Sequence, residues 1–320
     1  MKHIFIVNPT AGTRDRYDEI ARALEPMRGE IDYEIYRTAY PKDATRYVRQ
    51  MCLDNPATAF RFYACGGDGT LNEVMQGVIG HPNAGMTVYP SGSGNDFVKC
   101  VGGAEQFLDF DALIHAEDMM IDVMKVDGEY ALNVVNFGFD TVVCDTMINV
   151  KNKKVIGGKN AYSFGVLKAF FTGMKSLCHV TVDGVPLNND RMLLCTVANG
   201  QYVGGAYRCA PRSSYQDGLL DICLVDCLSH IRFIKMINSY KNGNHLEDPR
   251  FKDCLHYCRG KKIEVSSSSP DFAYCLDGEI VHTDHFTIEV LPNVLRFAVP
   301  KKAAPVGAAH TEEEPEVAPV

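Results

Sequence analysis

The glycine-rich segment of this chain is Cys65-Gly66-Gly67-Asp68-Gly69-Thr70-Leu71-Asn72-Glu73-Val74, and the rest of the fold is organised around it. The apolar run before it, residues 60–65, is short and rich in aromatic residues, which predicts a buried strand. After it, apolar residues recur at the spacing of one helical face from Leu71 to Ile79. The segment therefore predicts a tight connection between a strand and a helix.

The residue types of this segment suit a phosphate group. Glycines let the backbone approach a ligand closely, and the first turn of a helix presents unpaired N–H groups to anions. Asp68, surrounded by those amides, can reach a metal ion, an ordered water or a substrate hydroxyl. A tight turn with a helix cap explains a lone Gly-Gly-Asp-Gly equally well, so other segments have to separate the two interpretations.

Composition and charge narrow the class of protein. The 320 residues, 46% hydrophobic and 22% charged, are enough for two domains. A formal charge of -8 argues against a nucleic-acid binder, because no basic excess is available to neutralise phosphates. Residues 1–8 predict a strand and not a signal peptide, so we expect a cytoplasmic protein whose twelve cysteines are reduced. No apolar run approaches the roughly 20 residues needed to cross a bilayer, so any membrane contact is expected to be peripheral.

Two further loops in the first third of the chain resemble the glycine-rich segment. Residues 3–7 predict a strand that leads into Asn8-Pro9-Thr10-Ala11-Gly12, and residues 86–89 predict one that leads into Pro90-Ser91-Gly92-Ser93-Gly94-Asn95-Asp96-Phe97. Helical patterns at 17–27 and 44–52 alternate with these strands, which predicts a doubly wound parallel sheet with helices on both faces. Because ligands bind beyond the carboxyl ends of such strands, three loops at that edge favour a polyphosphate site.

The pattern changes from about Ile121 to short strands with tight turns. Asp-Gly pairs at 127–128 and 183–184 predict hairpins, and further strands are predicted at 192–198, 220–225, 263–265 and 286–290. Together they predict a mainly antiparallel β-sandwich. One helical piece carries an apolar stripe from Phe164 to Met174 beside Lys159, Lys168 and Lys175, for which core packing is favoured over lipid contact. The tail over 301–320 is too poor in large apolar residues to fold.

In order and combination, these motifs resemble the soluble bacterial diacylglycerol kinase family of lipid kinases, which shares motifs with sphingosine and ceramide kinases. The resemblance spans residues 3 to about 299. Besides the three loops, the matching pieces are Asn136-Phe137-Gly138-Phe139-Asp140, Gly204-Gly205 with Ala210-Pro211, Asp217-Gly218-Leu219-Leu220-Asp221 and Leu276-Asp277-Gly278-Glu279. The sequence departs from the family at Ser93, where many members have threonine, but the hydroxyl is retained.

The resemblance implies transfer of phosphate from ATP, with Mg²⁺, to the hydroxyl of diacylglycerol or a related lipid alcohol, giving phosphatidate. It implies a nucleotide-binding α/β domain over 1–121, similar to NAD kinase and phosphofructokinase and completed by about 291–300, and a β-sandwich lipid-substrate domain over 122–290. The residues that it places at ATP are Asn8, Pro9, Thr10, Ala11, Gly12, Thr38, Gly66, Gly67, Asp68, Gly69, Thr70, Leu71, Asn72, Glu73 and Ser93.

The resemblance also assigns the acidic residues. Glu279 would accept the proton, while Asp277 and Asp68 would complete an acidic cluster around magnesium, as transfer to a poorly nucleophilic hydroxyl requires. Asp217, with Leu219 nearby, would hold a structural magnesium ion, although a simple turn competes for Asp217-Gly218. The chain has a second triplet, Asp127-Gly128-Glu129, which is typical of a plain hairpin. Spacing alone does not separate the triplets, so only the resemblance selects the later one.

Two other functions stay open beside a lipid kinase. A kinase for a soluble acceptor such as NAD shares the central glycine motif, and a non-catalytic nucleotide-binding regulatory protein would share the whole fold. A zinc site at the cysteines of 223–258 is disfavoured, because the usual two-residue gaps are missing. The expected partners are a lipid alcohol and a peripheral membrane surface, with a homodimer left open.

Overall fold

The computed structural model describes residues 1–139, 141–143, 145–146, 170 and 174–301. The predicted helical stripe with Phe164, Leu167 and Phe171 lies outside the described residues. So do Asp140 of the fourth motif and the predicted tail beyond Lys301.

Strands and helices alternate through the first 114 residues. In order they are β1 Lys2–Val7, α1 Tyr17–Leu24, β2 Asp32–Arg37, α2 Asp43–Asp54, β3 Phe60–Gly66, α3 Asp68–Val78, β4 Ala84–Pro90, α4 Asp96–Cys100 and α5 Phe110–Ile114. The four strands are parallel in the spatial order β4-β3-β1-β2. β1, β3 and β4 are buried along almost their whole length, as parallel strands covered on both faces are. The predicted doubly wound parallel sheet is confirmed.

The helical faces follow the apolar spacing of the sequence, with one difference. α3 buries Leu71, Val74, Met75 and Val78, as predicted. The predicted helix over 17–27 ends as an α-helix at Leu24, and a 3₁₀ turn follows over Glu25–Met27. Pro26 explains the early end, because it has no backbone N–H to donate to the carbonyl one turn earlier, although Glu25 before it is still in the helical region with φ -54° and ψ -42°.

The second half of the chain is built mainly from strands. They are β5 Glu117–Val126, β6 Glu129–Ala131, β7 Val134–Gly138, β8 Ser176–Leu177, β9 His179–Val182, β10 Val185–Pro186, β11 Arg191–Met192, β12 Leu194–Ala198, β13 Leu220–Val225, β14 Leu255–Gly260, β15 Lys262–Ser266, β16 Ala273–Leu276, β17 Glu279–His282 and β18 His285–Val299, with helix α6 at His230–Lys241. In the described part, an antiparallel sheet of order β14-β13-β12-β7-β16-β17 packs on a layer that contains β9, β15, β18 and β5. Their shared core includes Phe137, Ile222, Ile263 and Phe286, which confirms the predicted sandwich.

Strand β18 joins the two halves of the molecule. Its first residues pair with β15, most of its length runs antiparallel to β5, and Phe297 pairs with Met86 of the parallel strand β4. The ring of Phe297 also packs edge-on against Phe97 at 5.5 Å, directly behind the third glycine loop. The end of the chain therefore supports the first sheet. The predicted domain boundary at 121/122 falls inside the continuous strand β5 and stays a prediction.

Two features of the second half differ from the sequence analysis. Helix α6 was not predicted, although Ser229 caps it by accepting a hydrogen bond from the N–H of Arg232, and Phe233, Met236 and Tyr240 are buried at helical spacing. The predicted strand over 192–198 is interrupted at Leu193, because Met192 pairs with β8 while Leu194 pairs with β13.

Candidate active site

The three predicted loops meet at one edge of the parallel sheet. A Cβ atom on Gly92 would lie 2.4 Å from the Cα of Gly67, and one on Gly12 would lie 2.2 Å from the carbonyl oxygen of Ser91. Only Gly67 separates the end of β3 from the start of α3, so the helix begins inside the glycine-rich segment itself. Such close backbone packing requires glycine at these positions.

Side-chain hydrogen bonds fix the first loop against α3. The Nδ2 of Asn8 donates to the Oγ1 of Thr70 at 3.0 Å, and the Oδ1 of Asn8 accepts from the N–H and hydroxyl of Thr10 at 3.0 and 2.8 Å. The N–H of Ala11 donates to the carbonyl of Asn8 at 3.2 Å, which closes the turn. A Cβ on Gly69 would meet nothing within 4 Å, so the backbone at the start of α3 faces open space.

A cavity of about 280 Å³ opens beside these loops. It is lined by Asn8, Pro9, Thr10, Thr38, Ala39, Tyr40, Pro41, Ala44, Thr70 and Glu73. Six of the residues that the resemblance places at a nucleotide therefore share one cavity, although they come from three separate segments. Of the other predicted nucleotide residues, Leu71, Asn72 and Ser93 line a second, adjoining site.

The second cavity, of about 340 Å³, lies between the two halves of the molecule. The first half contributes Asp68, Leu71, Asn72, Ser93, Gly94, Asp96 and Phe97, and the second half contributes Leu132, Asn133, Val134, Asn136, Val203, Gly204, Gly205, Cys275, Asp277 and Gly278. Asp68 and Asp277 thus face one cavity from motifs that are far apart in sequence. Glu279 follows the lining residue Gly278 and is exposed, and its carboxylate bonds to no other described residue.

The ionised form of Asp68 is destabilised by its surroundings at this site. Its Oδ1 accepts a hydrogen bond from the N–H of Asp96 at 2.6 Å, but burial and the nearby carboxylate of Asp96 raise the pKa of Asp68 to about 6. Both causes disfavour the ionised form. A cation bound at Asp68 would offset them, so this carboxylate fits the predicted contact with magnesium.

Asp96 belongs to the third loop motif, and the resemblance assigns it no role. The structure shows that its carboxylate accepts from the N–H of Gly205 at 3.0 Å and from the Nζ of Lys99 at 2.6 Å. Lys99 also donates to the carbonyl of Gly205 at 2.8 Å. Asp96 and Lys99 therefore tie the Gly204-Gly205 motif of the second half to the third loop of the first half. The signal in the sequence was an acidic residue two positions after Gly94, at the end of the glycine-rich loop.

Asp277 has no coordination position left for a metal ion. Its two oxygens accept from the backbone N–H groups of Leu132 at 2.8 Å, Asn133 at 3.2 Å and Val134 at 2.9 Å, and from the Nδ2 of Asn72 at 3.2 Å. Burial raises the pKa of Asp277, and these hydrogen bonds offset part of that effect. The predicted role of Asp277 as a magnesium ligand does not fit this arrangement.

The two Asp-Gly-Glu triplets have the same backbone and different surroundings. Asp127 and Asp277 have φ angles of 48° and 45°, and the glycine after each has a φ near 100°. Asp127 accepts one hydrogen bond from the N–H of Thr287, and Glu129 lies 3.7 Å from Lys42 on the surface. Asp277 and Gly278 of the later triplet line the cavity that Asp68 also faces. Tertiary position thus distinguishes two triplets that the sequence alone did not.

The residues around Asp217 do not fit the predicted structural magnesium site. The Oδ2 of Asp217 contacts the guanidinium of Arg259, and its Oδ1 accepts from the N–H of Leu219 at 3.1 Å. The same guanidinium lies 3.5 Å from the fully buried carboxylate of Asp221. A cationic side chain is therefore already paired with both carboxylates. Among the described residues there is no cluster of three or more metal-ligating side chains.

The described cysteines show no feature of a metal or disulfide site. No disulfide links the described cysteines, and burial raises the pKa of Cys223 and Cys254. His256, which lies between Cys254 and Cys258 in sequence, bonds to Asp226 at 2.8 Å. In the described part of the chain, no helix combines the length and the apolarity that crossing a membrane requires.

Comparison with known proteins gives two family models. One described as the diacylglycerol kinase catalytic domain matches residues 2–126, and one described as the YegS C-terminal NAD kinase beta sandwich-like domain matches residues 133–299. A candidate lipid kinase of Staphylococcus haemolyticus is 31% identical over 90% of this chain and 92% of that protein. A probable YegS-like lipid kinase of Alcanivorax borkumensis is 27% identical over 81% of this chain and 84% of that protein.

Solved structures share the fold. The chain resembles a candidate diacylglycerol kinase from Bacillus anthracis with a TM-score of 0.73 and 24% identity over 95% of this chain and 98% of that one. It also resembles an NAD kinase from Archaeoglobus fulgidus in complex with ATP, with a TM-score of 0.51 and 16% identity over 95% of each chain.

Proposed function

This chain belongs to the bacterial diacylglycerol kinase-like family of lipid kinases, and from that premise we propose that it transfers the γ-phosphate of ATP to the hydroxyl of diacylglycerol or a related lipid alcohol. Phosphatidate is the product when diacylglycerol is the acceptor. The observation that carries the proposal is the cavity between the two halves, because Asp68 faces it beside the phosphate-suited loops and its lining residue Gly278 directly precedes Glu279.

The three loops and the start of α3 provide the nucleotide site of this proposal. Open space at Gly69 and the unpaired N–H groups of the first helical turn suit phosphate oxygens. The 280 Å³ cavity lined by Asn8, Thr38 and Glu73 adjoins them and holds the remainder of the nucleotide. Magnesium, which binds proteins through one or two carboxylates plus substrate phosphates, would be held by Asp68 and would neutralise charge on the transferred group.

The 340 Å³ cavity suits the acceptor. It combines apolar side chains, such as Phe97, Val134 and Val203, with the carboxylate of Asp68. A cavity of this size holds the alcohol end of a lipid, while acyl chains remain outside it. Glu279 accepts the hydroxyl proton as the oxygen attacks the phosphoryl group. The acyl chains then stay in a membrane surface, on which a cytoplasmic enzyme acts peripherally.

Phosphate transfer to a panel of acceptors tests this proposal. The protein is incubated with labelled ATP, Mg²⁺ and mixed micelles that contain diacylglycerol, ceramide or sphingosine, with NAD as a soluble acceptor. Label on a lipid alcohol is the expected result. Transfer to NAD alone would establish the soluble-acceptor kinase instead, and transfer to no acceptor would overturn catalysis on lipids.

Substitution of Glu279 tests the residue roles in the same assay. We expect Glu279→Gln to lower kcat by roughly 10²–10⁴-fold, because the proton acceptor is lost, while ATP affinity stays unchanged. The matched control is Glu129→Gln, which makes the same change in the surface triplet and should retain activity. Equal loss in both variants would contradict the assignment.

A further inference from the structure

Asp277 lies where three segments of the chain meet. It occupies the turn between β16 and β17, and its carboxylate accepts from the backbone of Leu132, Asn133 and Val134, which connect β6 to β7. The third segment is α3, where the side chain of Asn72, 205 residues earlier in the chain, donates to the same carboxylate. The N–H of Asp277 also donates to the carbonyl of Val134 at 3.2 Å, so the turn is held from both sides.

Asn72 links this carboxylate to the glycine-rich segment. Its Nδ2 reaches the carbonyl of Tyr130 at 3.3 Å as well as Asp277, and its Oδ1 accepts from the Nε2 of Gln76 at 3.2 Å. Gln76 donates to the carbonyl of Tyr130 at 2.6 Å. Because residues four apart share a helical face, Asn72 lies on the face of α3 that begins with Asp68. The orientation of that face is therefore fixed by contacts with the second half of the molecule.

We propose that Asp277 is a positioning residue, which sets the spacing between Asp68 and Glu279 and does not bind metal. This inference rests on the function proposed above. The connection runs from Asp68 along one helical turn to Asn72, across the hydrogen bond to Asp277, and through Gly278 to Glu279. A displacement of α3 or of the turn that carries Asp277 changes the distance between the carboxylates of Asp68 and Glu279. The nucleotide loops are held separately, by the hydrogen bond from Asn8 to Thr70 and by the packing of Gly92 on Gly67. Such a displacement therefore slows the chemical step much more than it weakens nucleotide binding.

Asp277→Asn is the decisive variant, because both carboxylate oxygens face N–H donors. Whichever way the amide is turned, its NH₂ group points at donors and not at acceptors, so at least one side of the connection is lost. Asn72→Ala removes only the link to α3 and leaves the three backbone contacts. The matched control is Asp127→Asn, which makes the same change in a turn of the same backbone geometry. There the carboxylate accepts one hydrogen bond, from the N–H of Thr287.

Steady-state kinetics with lipid acceptor separate positioning from metal binding. A positioning role predicts that Asp277→Asn and Asn72→Ala each lower kcat at least tenfold, with the KM for ATP and the Mg²⁺ concentration for half-maximal rate within twofold of wild type. It also predicts that the double variant is no slower than Asp277→Asn alone, because both changes break the same connection. A tenfold rise in the Mg²⁺ requirement of Asp277→Asn, or unchanged kcat in Asn72→Ala, would overturn the proposal. The kcat of Asn72→Ala decides the test even if Asp277→Asn fails to fold.

Two measurements without an acceptor keep this test independent of the proposed function. Calorimetric titration with Mg²⁺ and a non-hydrolysable ATP analogue should give affinities within twofold for wild type and Asn72→Ala or Asp277→Asn. Amide hydrogen exchange should become at least tenfold faster at Leu132 and Val134 in Asp277→Asn. Loss of metal affinity or unchanged exchange would overturn the positioning role. A wild-type protein that binds nucleotide but phosphorylates no lipid would instead overturn the proposed function alone.

Discussion

The ionisation of Asp68 makes the stability of this protein depend on pH in a predictable direction. Burial and the charge of Asp96 raise the pKa of this carboxyl from 3.8 to about 6 in the folded protein. Between these two values the folded state binds more protons at Asp68 than the unfolded state does. The contribution of Asp68 to the free energy of unfolding is therefore highest at low pH, and it falls as the pH rises from about 4 to about 6.

The size of the effect follows from the pKa. A carboxyl that titrates near 6 rather than 3.8 lowers the free energy of unfolding by up to about 3 kcal/mol once it is ionised. Asp68→Asn resembles the protonated carboxyl and keeps an acceptor for the N–H of Asp96. We expect the variant to match wild type near pH 4 and to be more stable by up to about 3 kcal/mol above pH 7.

Urea unfolding of wild type and Asp68→Asn, in the absence of nucleotide and across this pH range, measures the difference. Other titrating groups cancel because they are common to both proteins. Asp18→Asn, which makes the same substitution at an exposed carboxylate in α1, serves as the control for effects that do not depend on this site. A difference between wild type and Asp68→Asn that is constant from pH 4 to 8 would refute the reasoning about burial and the Asp96 charge.

The remaining predictions concern packing and charge. Gly92→Ala should destabilise the protein by about 1–3 kcal/mol, because its Cβ would lie 2.4 Å from the Cα of Gly67; Gly69→Ala, which meets no atom within 4 Å, should stay within about 0.5 kcal/mol in the same denaturant titration. Arg259→Met should cost about 2 kcal/mol, because it leaves the buried carboxylate of Asp221 without its cation. A chelator should leave the Tm of wild type unchanged, whereas a fall in Tm on chelation would show a structural metal ion.

Local patterns in the sequence were enough to predict most of the secondary structure. Apolar residues spaced three and four apart marked the buried face of α3, and glycine-rich runs after apolar segments marked the ends of β1, β3 and β4. Asp-Gly pairs marked the hairpin turns, where Asp127 and Asp183 have φ angles of 48° and 49°. These features can be predicted from the sequence because each depends only on residues a few positions apart in the chain. Helix α6 was equally readable from its serine cap and apolar spacing, and was missed.

The motifs also identified which residues to examine, but not what each one does. Asp68, Asp277 and Asp217 were all expected at magnesium. In the structure the first meets the charge of Asp96, the second is saturated by Asn72 and three backbone amides, and the third contacts Arg259. These partners lie 28, 205 and 42 residues away in the chain.

The sequence by itself therefore determined the elements, their order and the candidate residues of this lipid kinase. Only the tertiary structure decided which carboxylates are open to a ligand and which are already bonded within the protein. The physical reason is that a carboxylate's charge state and free lone pairs depend on the groups within a few ångströms of it. The pairing of β3 with β4 brings Asp96 to Asp68, and the pairing of β13 with β14 brings Arg259 to Asp217. The packing of α3 on the second half brings Asn72 to Asp277.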